Sequence, residues 1–154
     1  DYFPRARADG MRRYMEQFAA RFGIPDMGSP ERIPNTRRAL AMAEFARDQG
    51  RLDAFRDVAM RAHWQQGKNL EEQVDLVAIA QDAGLDPEAA VAAGASPRYL
   101  ERVDALRQEA HRMGVTGIPT FFFEDCVVVG CQEYDQLVAA ARKAGAIPRR
   151  PSTG

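Results

Sequence analysis

Cysteine and histidine are scarce in this chain, with two of each among 154 residues. Two cysteines, Cys126 and Cys131, are too few for a disulfide framework. They stand five residues apart around an apparent strand, so in a regular strand their side chains point to opposite faces, which argues against a bond between them. His63 and His111 fall on different predicted helices with no ligand-spaced partner, and no metal site is expected. An excess of one charge is also lacking: Lys plus Arg number 21 against 22 Asp plus Glu. That balance offers no electrostatic footprint for nucleic acid or for an anionic membrane. Arginine pairs such as Arg12-Arg13 and Arg37-Arg38 are interspersed with acids and read as solvated helix faces, not phosphate sites. No apolar run approaches the ~20 residues of a membrane span, and no signal peptide is visible. The first residue is Asp1, not Met, so the missing signal is weak evidence on compartment. A cytoplasmic location is the expectation, with a periplasmic one left open.

What is present is a helical pattern with clear punctuation. The chain is 45% hydrophobic, which suits one compact domain or one domain carrying an insertion. Residues 7–22 place Met11, Tyr14, Met15, Phe18 and Phe22 at helical spacing, and Gly23 ends the run. A Pro/Gly-rich loop follows to Pro34, where a helix cannot continue. Asn35 is placed to cap a second helix running to Gln49, with Gly50 as its stop. A third helix spans 52–66. Asn69 is placed to cap a fourth, 70–83, with Glu72 as its capping-box acid. Asp86-Pro87 and Ser96-Pro97 each set a capping side chain before a proline at the first helical position. They open helices over 87–93 and 97–113, the second with Leu100, Val103, Leu106, Ala110 and Met113 on one stripe.

The period then changes. Residues 120–124 and 127–130 are short β-branched and aromatic runs, separated by a turn at Asp125-Cys126. Both are apolar without alternation, so the hairpin should be covered on both faces, with Phe121 to Phe123 and Val127 to Val129 in the core. An amphipathic helix over 134–144 follows, with Leu137, Val138 and Ala141 inward, and the tail 148–154 should fray. A two-stranded sheet buried on both faces needs at least a third strand, yet residues 1–115 contain no convincing strand. The expectation is that the remaining strands belong to sequence outside this chain.

The stretch Val115-Thr116-Gly117-Ile118-Pro119-Thr120-Phe121-Phe122-Phe123 resembles the entry to the third strand of DsbA-like thioredoxin folds, where the proline is cis. Gly130-Cys131-Gln132 resembles the end of the matching hairpin. Arg32-Ile33-Pro34-Asn35-Thr36, with Ala39, resembles the start of the inserted helical domain found in one subgroup. That subgroup holds FrnE-type DsbA proteins, 2-hydroxychromene-2-carboxylate isomerases and kappa-class glutathione transferases. The ordered matches cover nearly the whole chain. The resemblance implies an α/β, thioredoxin-like fold with an inserted helical domain, mostly helical in this chain, with a C-terminal β-hairpin and final helix. It divides the chain into a mainly helical domain, 1–113, the C-terminal part of the thioredoxin-like domain, 114–147, and a tail.

The same resemblance implies chemistry. In this family the reactive residue opens the first helix, as Cys-x-x-Cys in oxidoreductases or as Ser in the isomerase and transferase branch. This chain has no Cys-x-x-Cys, and the strand-helix-strand unit that would carry the nucleophile is expected upstream, outside it. The resemblance places Thr116, Ile118, Pro119, Asn35, Cys131 and Gln132 along the substrate cleft. It implies a thiol–disulfide oxidoreductase acting on a thiol- or disulfide-bearing peptide or small molecule, with no bound cofactor. The alternatives are an isomerase or transferase with glutathione as co-substrate, and a non-catalytic thioredoxin-like binding module. Oligomeric state is left open. Simpler roles stand beside these: Pro119 as a trans proline starting a strand, Asn35 as an N-cap, Cys131 as a buried structural cysteine, Cys126 as an exposed turn thiol, and His63-Trp64 packed at a helix interface.

Overall fold

The computed structural model describes residues 5–24, 27–28, 34–124 and 126–147. Arg32, Ile33 and Asp125, and the tail 148–154, lie outside the described residues. The elements run α1 (Arg5–Arg21), α2 (Arg37–Asp48), α3 (Leu52–Trp64), α4 (Gln73–Asp82), α5 (Pro87–Ala95), α6 (Pro97–Arg112), β1 (Thr120–Phe123), β2 (Cys126–Val129) and α7 (Tyr134–Lys143). They fall into two compact units, Asp1–Ala105 and Leu106–Gly154, with the boundary inside α6.

Helix ends follow local chemistry. Asp86 accepts from the backbone N–H of Glu88 at 3.0 Å and of Ala89 at 3.4 Å, and Pro87 fills the first helical position of α5. That satisfies donors a helix start otherwise leaves orphaned. Two caps differ from expectation. Thr36 stands at the N-cap position of α2, while Asn35 one residue earlier accepts from Arg37 N at 3.1 Å. The fourth helix begins at Gln73, after its N-cap Glu72, because Asn69 and Glu72 close a turn first. The acid reaching back to Asn69 N is then Asp75, at 2.8 Å, and not Glu72. Its carboxyl is held below the ordinary range: burial works upward, but the Asn69 N–H and the Lys68 ammonium outweigh it.

The core of the first unit lies between α2, α3, α4 and α5. Met42 and Leu76 are its largest fully buried side chains, joined by Phe55, Ile79, Ala80 and Ala90. Small residues let α5 approach α2. A Cβ at Gly94 would meet Met42 Cγ at 3.0 Å and the Arg38 carbonyl oxygen at 3.3 Å, so alanine would not fit without movement. A smaller cluster, Ala41, Ala93 and Tyr99, seats the start of α6, with Phe45 meeting the Tyr99 ring edge-on. Charge adds to that seat. Buried Glu44 accepts from Arg47 and pairs with Arg102, and Asp48 accepts from Arg98, Tyr99 and Arg102. His63 is buried beside Trp64, its Nδ1 3.0 Å from the Lys68 carbonyl oxygen.

The second unit holds the antiparallel hairpin, with Thr120 opposite Val129, Phe121 opposite Val128, Phe122 opposite Val127 and Phe123 opposite Cys126. Paired residues share a face. One face carries Phe121, Phe123, Cys126 and Val128, all half-buried, and α7 packs against β2. The other carries Phe122, Val127 and Val129, which are 46%, 54% and 45% exposed. The expectation of a hairpin covered on both faces is therefore corrected for this chain, since a single short helix can cover only one face of a strand pair. Leu106 in α6 and Met113 just after it are exposed as well.

Candidate substrate-binding site

The segment leaving α6 turns sharply. Gly114 takes a positive φ of 80°, which glycine adopts without steric cost, and Val115 N closes back on the Ala110 carbonyl at 3.0 Å. The loop then meets the hairpin. A Cβ on Gly117 would lie 3.3 Å from Val129 Cγ1, so the smallest residue stands where loop and strand approach. Thr120 Oγ1 donates to the Gly117 carbonyl at 2.6 Å, and Gly130 N donates to the Pro119 carbonyl at 2.8 Å. These bonds hold the loop at both ends. The Ile118–Pro119 peptide between them is cis.

Ile118 projects outward, 89% exposed. Among the described residues its backbone N–H and C=O have no hydrogen-bond partner. At the same end of the hairpin, Gln132 Nε2 donates to the Val129 carbonyl at 3.0 Å, bracing the exit of β2. The structure thus brings Ile118, Pro119, Cys131 and Gln132 to one end of the strand pair, with exposed Thr116 two residues before Ile118. Asn35 belongs to the helical unit, where it lines a cavity with Arg37 and Arg38.

Both cysteines are free thiols. Cys131 is exposed, which corrects the expectation of a buried structural residue: it follows Gly130, whose positive φ of 86° ends the strand. Cys126 lies in β2 opposite Phe123 and is half-buried, not an exposed turn residue. Neither opens a helix, and among the described residues no three His, Cys, Asp or Glu side chains come together to hold a metal. No helix among the described residues is long and apolar enough to cross a membrane. Arg37 is exposed, as expected, and pairs at the surface with Asp104 through Nε and Nη2. Sequence reading missed the neighbour, Arg38, whose Nε is buried. The available signal was two adjacent cations in the first turn of a helix, where the macrodipole favours acids.

A hairpin entered through a cis-proline loop and followed by a helix, behind a helical insertion, defines the chain as thioredoxin-like in fold. The chain belongs to the DSBA-like thioredoxin domain family, whose model matches residues 4–142. It is 29% identical over 123 residues to the 2-hydroxychromene-2-carboxylate isomerase of Sphingobium xenophagum, a match covering 80% of this chain and 62% of that protein. A probable DsbA oxidoreductase from Streptomyces coelicolor superposes with a TM-score of 0.81 at 25% identity, over 96% of this chain and 65% of that one. A solved 2-hydroxychromene-2-carboxylate isomerase shares the fold, with a TM-score of 0.75 at 22% identity, over 92% of this chain and 67% of that one. The chain thus spans 62% of the length of the curated relative it matches.

Proposed function

We propose that this chain carries the substrate-docking edge of a DsbA-like thiol–disulfide oxidoreductase. The observation that carries the reading is Ile118: fully presented, with an unpaired backbone donor and acceptor, at the entrance of a strand. An extended peptide can pair with such an edge as an added strand. A thiolate at a helix N-terminus then attacks one sulfur of the peptide's disulfide. The substrate S–S bond breaks, its other sulfur leaves as thiolate, and a mixed disulfide with the attacking sulfur forms. Cys126 lies in β2 and Cys131 in the loop before α7, so neither stands at the first position of a helix. The reading assigns the nucleophile to a helix outside residues 1–154. Thr116, Cys131 and Gln132 would flank the bound peptide.

The test is a titration of the isotope-labelled chain with an extended peptide whose cysteine is S-methylated. Amide shifts confined to residues 116–120 and 130–132 are expected. Shifts elsewhere, or none, would overturn the docking role. The chain by itself is expected to reduce insulin no faster than background. Rapid reduction lost in Cys131→Ala would make Cys131 the nucleophile instead of a neighbour of the docking edge.

A second reading, a glutathione-dependent isomerase, is favoured by the 29% identity to the Sphingobium xenophagum isomerase. Glutathione would then occupy the same edge as co-substrate, with Ser in place of the reactive Cys. The residue opening the first helix in the coding sequence distinguishes the two, and saturable glutathione binding that shifts Ile118 favours the second.

A further inference from the structure

We propose that Thr120 is the positioning residue of the docking edge: its hydroxyl fixes the Gly117–Ile118 peptide so that the Ile118 N–H faces an incoming substrate strand. The inference rests on the docking reading above and names the group that orients its donor.

A trans peptide unit is rigid and planar, so its C=O and N–H point in opposite directions. Gly117–Ile118 is such a unit, the cis bond lying one residue later at Ile118–Pro119. The Gly117 carbonyl and the Ile118 N–H are therefore two ends of one plane, and whatever holds the first aims the second. Thr120 Oγ1 donates to that carbonyl at 2.6 Å, within the normal range for O–H···O. Among the described residues no other hydrogen bond reaches the Gly117 carbonyl. The loop has little else to offer it, since Pro119 has no N–H and the Ile118 N–H lies at the far end of the same plane.

Other contacts fix where the loop sits. A Cβ at Gly117 would stand 3.3 Å from Val129 Cγ1, and Gly130 N holds the Pro119 carbonyl at 2.8 Å from across the hairpin. Neither stops the Gly117–Ile118 plane from turning over, and a glycine at one end makes that turn sterically easy. Half a rotation would present an acceptor, the Gly117 carbonyl, where the donor now stands. The Thr120 hydroxyl is the contact that prevents it. The bond also polarises the unit, which strengthens the Ile118 N–H as a donor.

The strand itself does not need the hydroxyl. Thr120 pairs with Val129 in the backbone register of the hairpin, and valine has nearly the same shape and suits a strand as well. A purely structural Thr120 would thus be replaceable by valine, and a positioning Thr120 would not.

The test titrates the same S-methylated extended peptide into the full chain, unaltered and as Thr120→Val and Thr120→Ser. Thr120→Val is expected to weaken binding ~fivefold, and Thr120→Ser, which keeps the hydroxyl, by less than about twofold. Amide exchange adds a readout that needs no variant. In the free unaltered chain the Ile118 N–H should exchange without protection, and saturating peptide should slow it at least ~tenfold. Thr120→Val binding as tightly as the unaltered chain, or Thr120→Ser weakening as much as Thr120→Val, would overturn the inference and leave the docking role standing. An Ile118 N–H already protected in the free chain would overturn it even if Thr120→Val fails to fold. No binding to the unaltered chain would overturn the docking reading, and the inference with it.

Discussion

The helical unit and the hairpin unit use apolar residues of similar kind to opposite effect. In the first, Met42, Phe55, Leu76 and Ile79 are sealed between four helices. In the second, no described hydrophobic residue is fully buried, and Phe122, Val127 and Val129 stand about half exposed. The helical unit closes its core with its own elements. The hairpin unit presents a strand pair with one open face, and two strands without further partners are at best marginally stable in water. The unit that carries the proposed docking edge is thus the one in which no described residue forms a fully buried core.

That contrast can be broken by mutation. Phe55→Ala should produce the largest effect, since Phe55 is 2% exposed and emptying such a site costs ~3–5 kcal/mol. Urea denaturation followed by helix content should show the loss. A cost below ~1 kcal/mol would mean that the helical unit is loosely packed after all. Gly94→Ala should come next. The added methyl would press on Met42 and on the Arg38 carbonyl, and overpacking of this kind costs ~1–3 kcal/mol. A neutral result would show that α5 moves freely on α2.

The pH dependence sharpens the comparison. Arg102 holds the Asp48 carboxyl below its ordinary range by a hydrogen bond. Burial works the other way, and the Tyr99 hydroxyl and the charges of Arg102 and Arg98 add to the lowering. Because the folded value is depressed, the stabilisation is complete above the ordinary carboxylate pKa of about 4. It disappears as pH falls through the folded value. Urea midpoints at pH 7 and below pH 4 should therefore differ less in Asp48→Asn than in the unaltered chain. Asp75, also depressed, keeps some of the slope in the variant. An identical slope in both proteins would remove Asp48 from the account. The smallest effect belongs to the hairpin. Phe122→Ser, on the open face, should shift the unfolding of the helical unit by no more than ~0.5 kcal/mol, as for an ordinary surface site. A larger loss in the same urea experiment would mean that the open face supports the helices.

Much of the fold was legible along the chain. Asp86-Pro87 and Ser96-Pro97 mark α5 and α6, and Gly50, Gly84 and Gly114 stand at helix ends with positive φ. The 120–124 and 127–130 runs mark strands that the structure places at Thr120–Phe123 and Cys126–Val129, and Ile118-Pro119 announced the loop between helix and sheet. Caps were legible only to within a few residues. Asn69 and Asp75 are six apart, and that bond becomes visible only once the intervening turn is formed.

Local chemistry decided where helices and strands begin, because caps, prolines and glycines act within a turn of the backbone. It also decided the cis-proline loop and its glycine neighbours, which cluster in a few consecutive residues. Tertiary structure decided the rest. Arg37 and Arg38 are adjacent and chemically identical, yet Asp104 from a distant helix pairs with one, while Nε of the other is buried without a hydrogen-bond partner. Cys131 is exposed and Cys126 half-buried because Gly130 ends one strand while Phe123 pairs across the other. Burial and charge pairing depend on neighbours far away in sequence, and a run such as Phe121-Phe122-Phe123 carries no mark of which side chain its partners will leave in water.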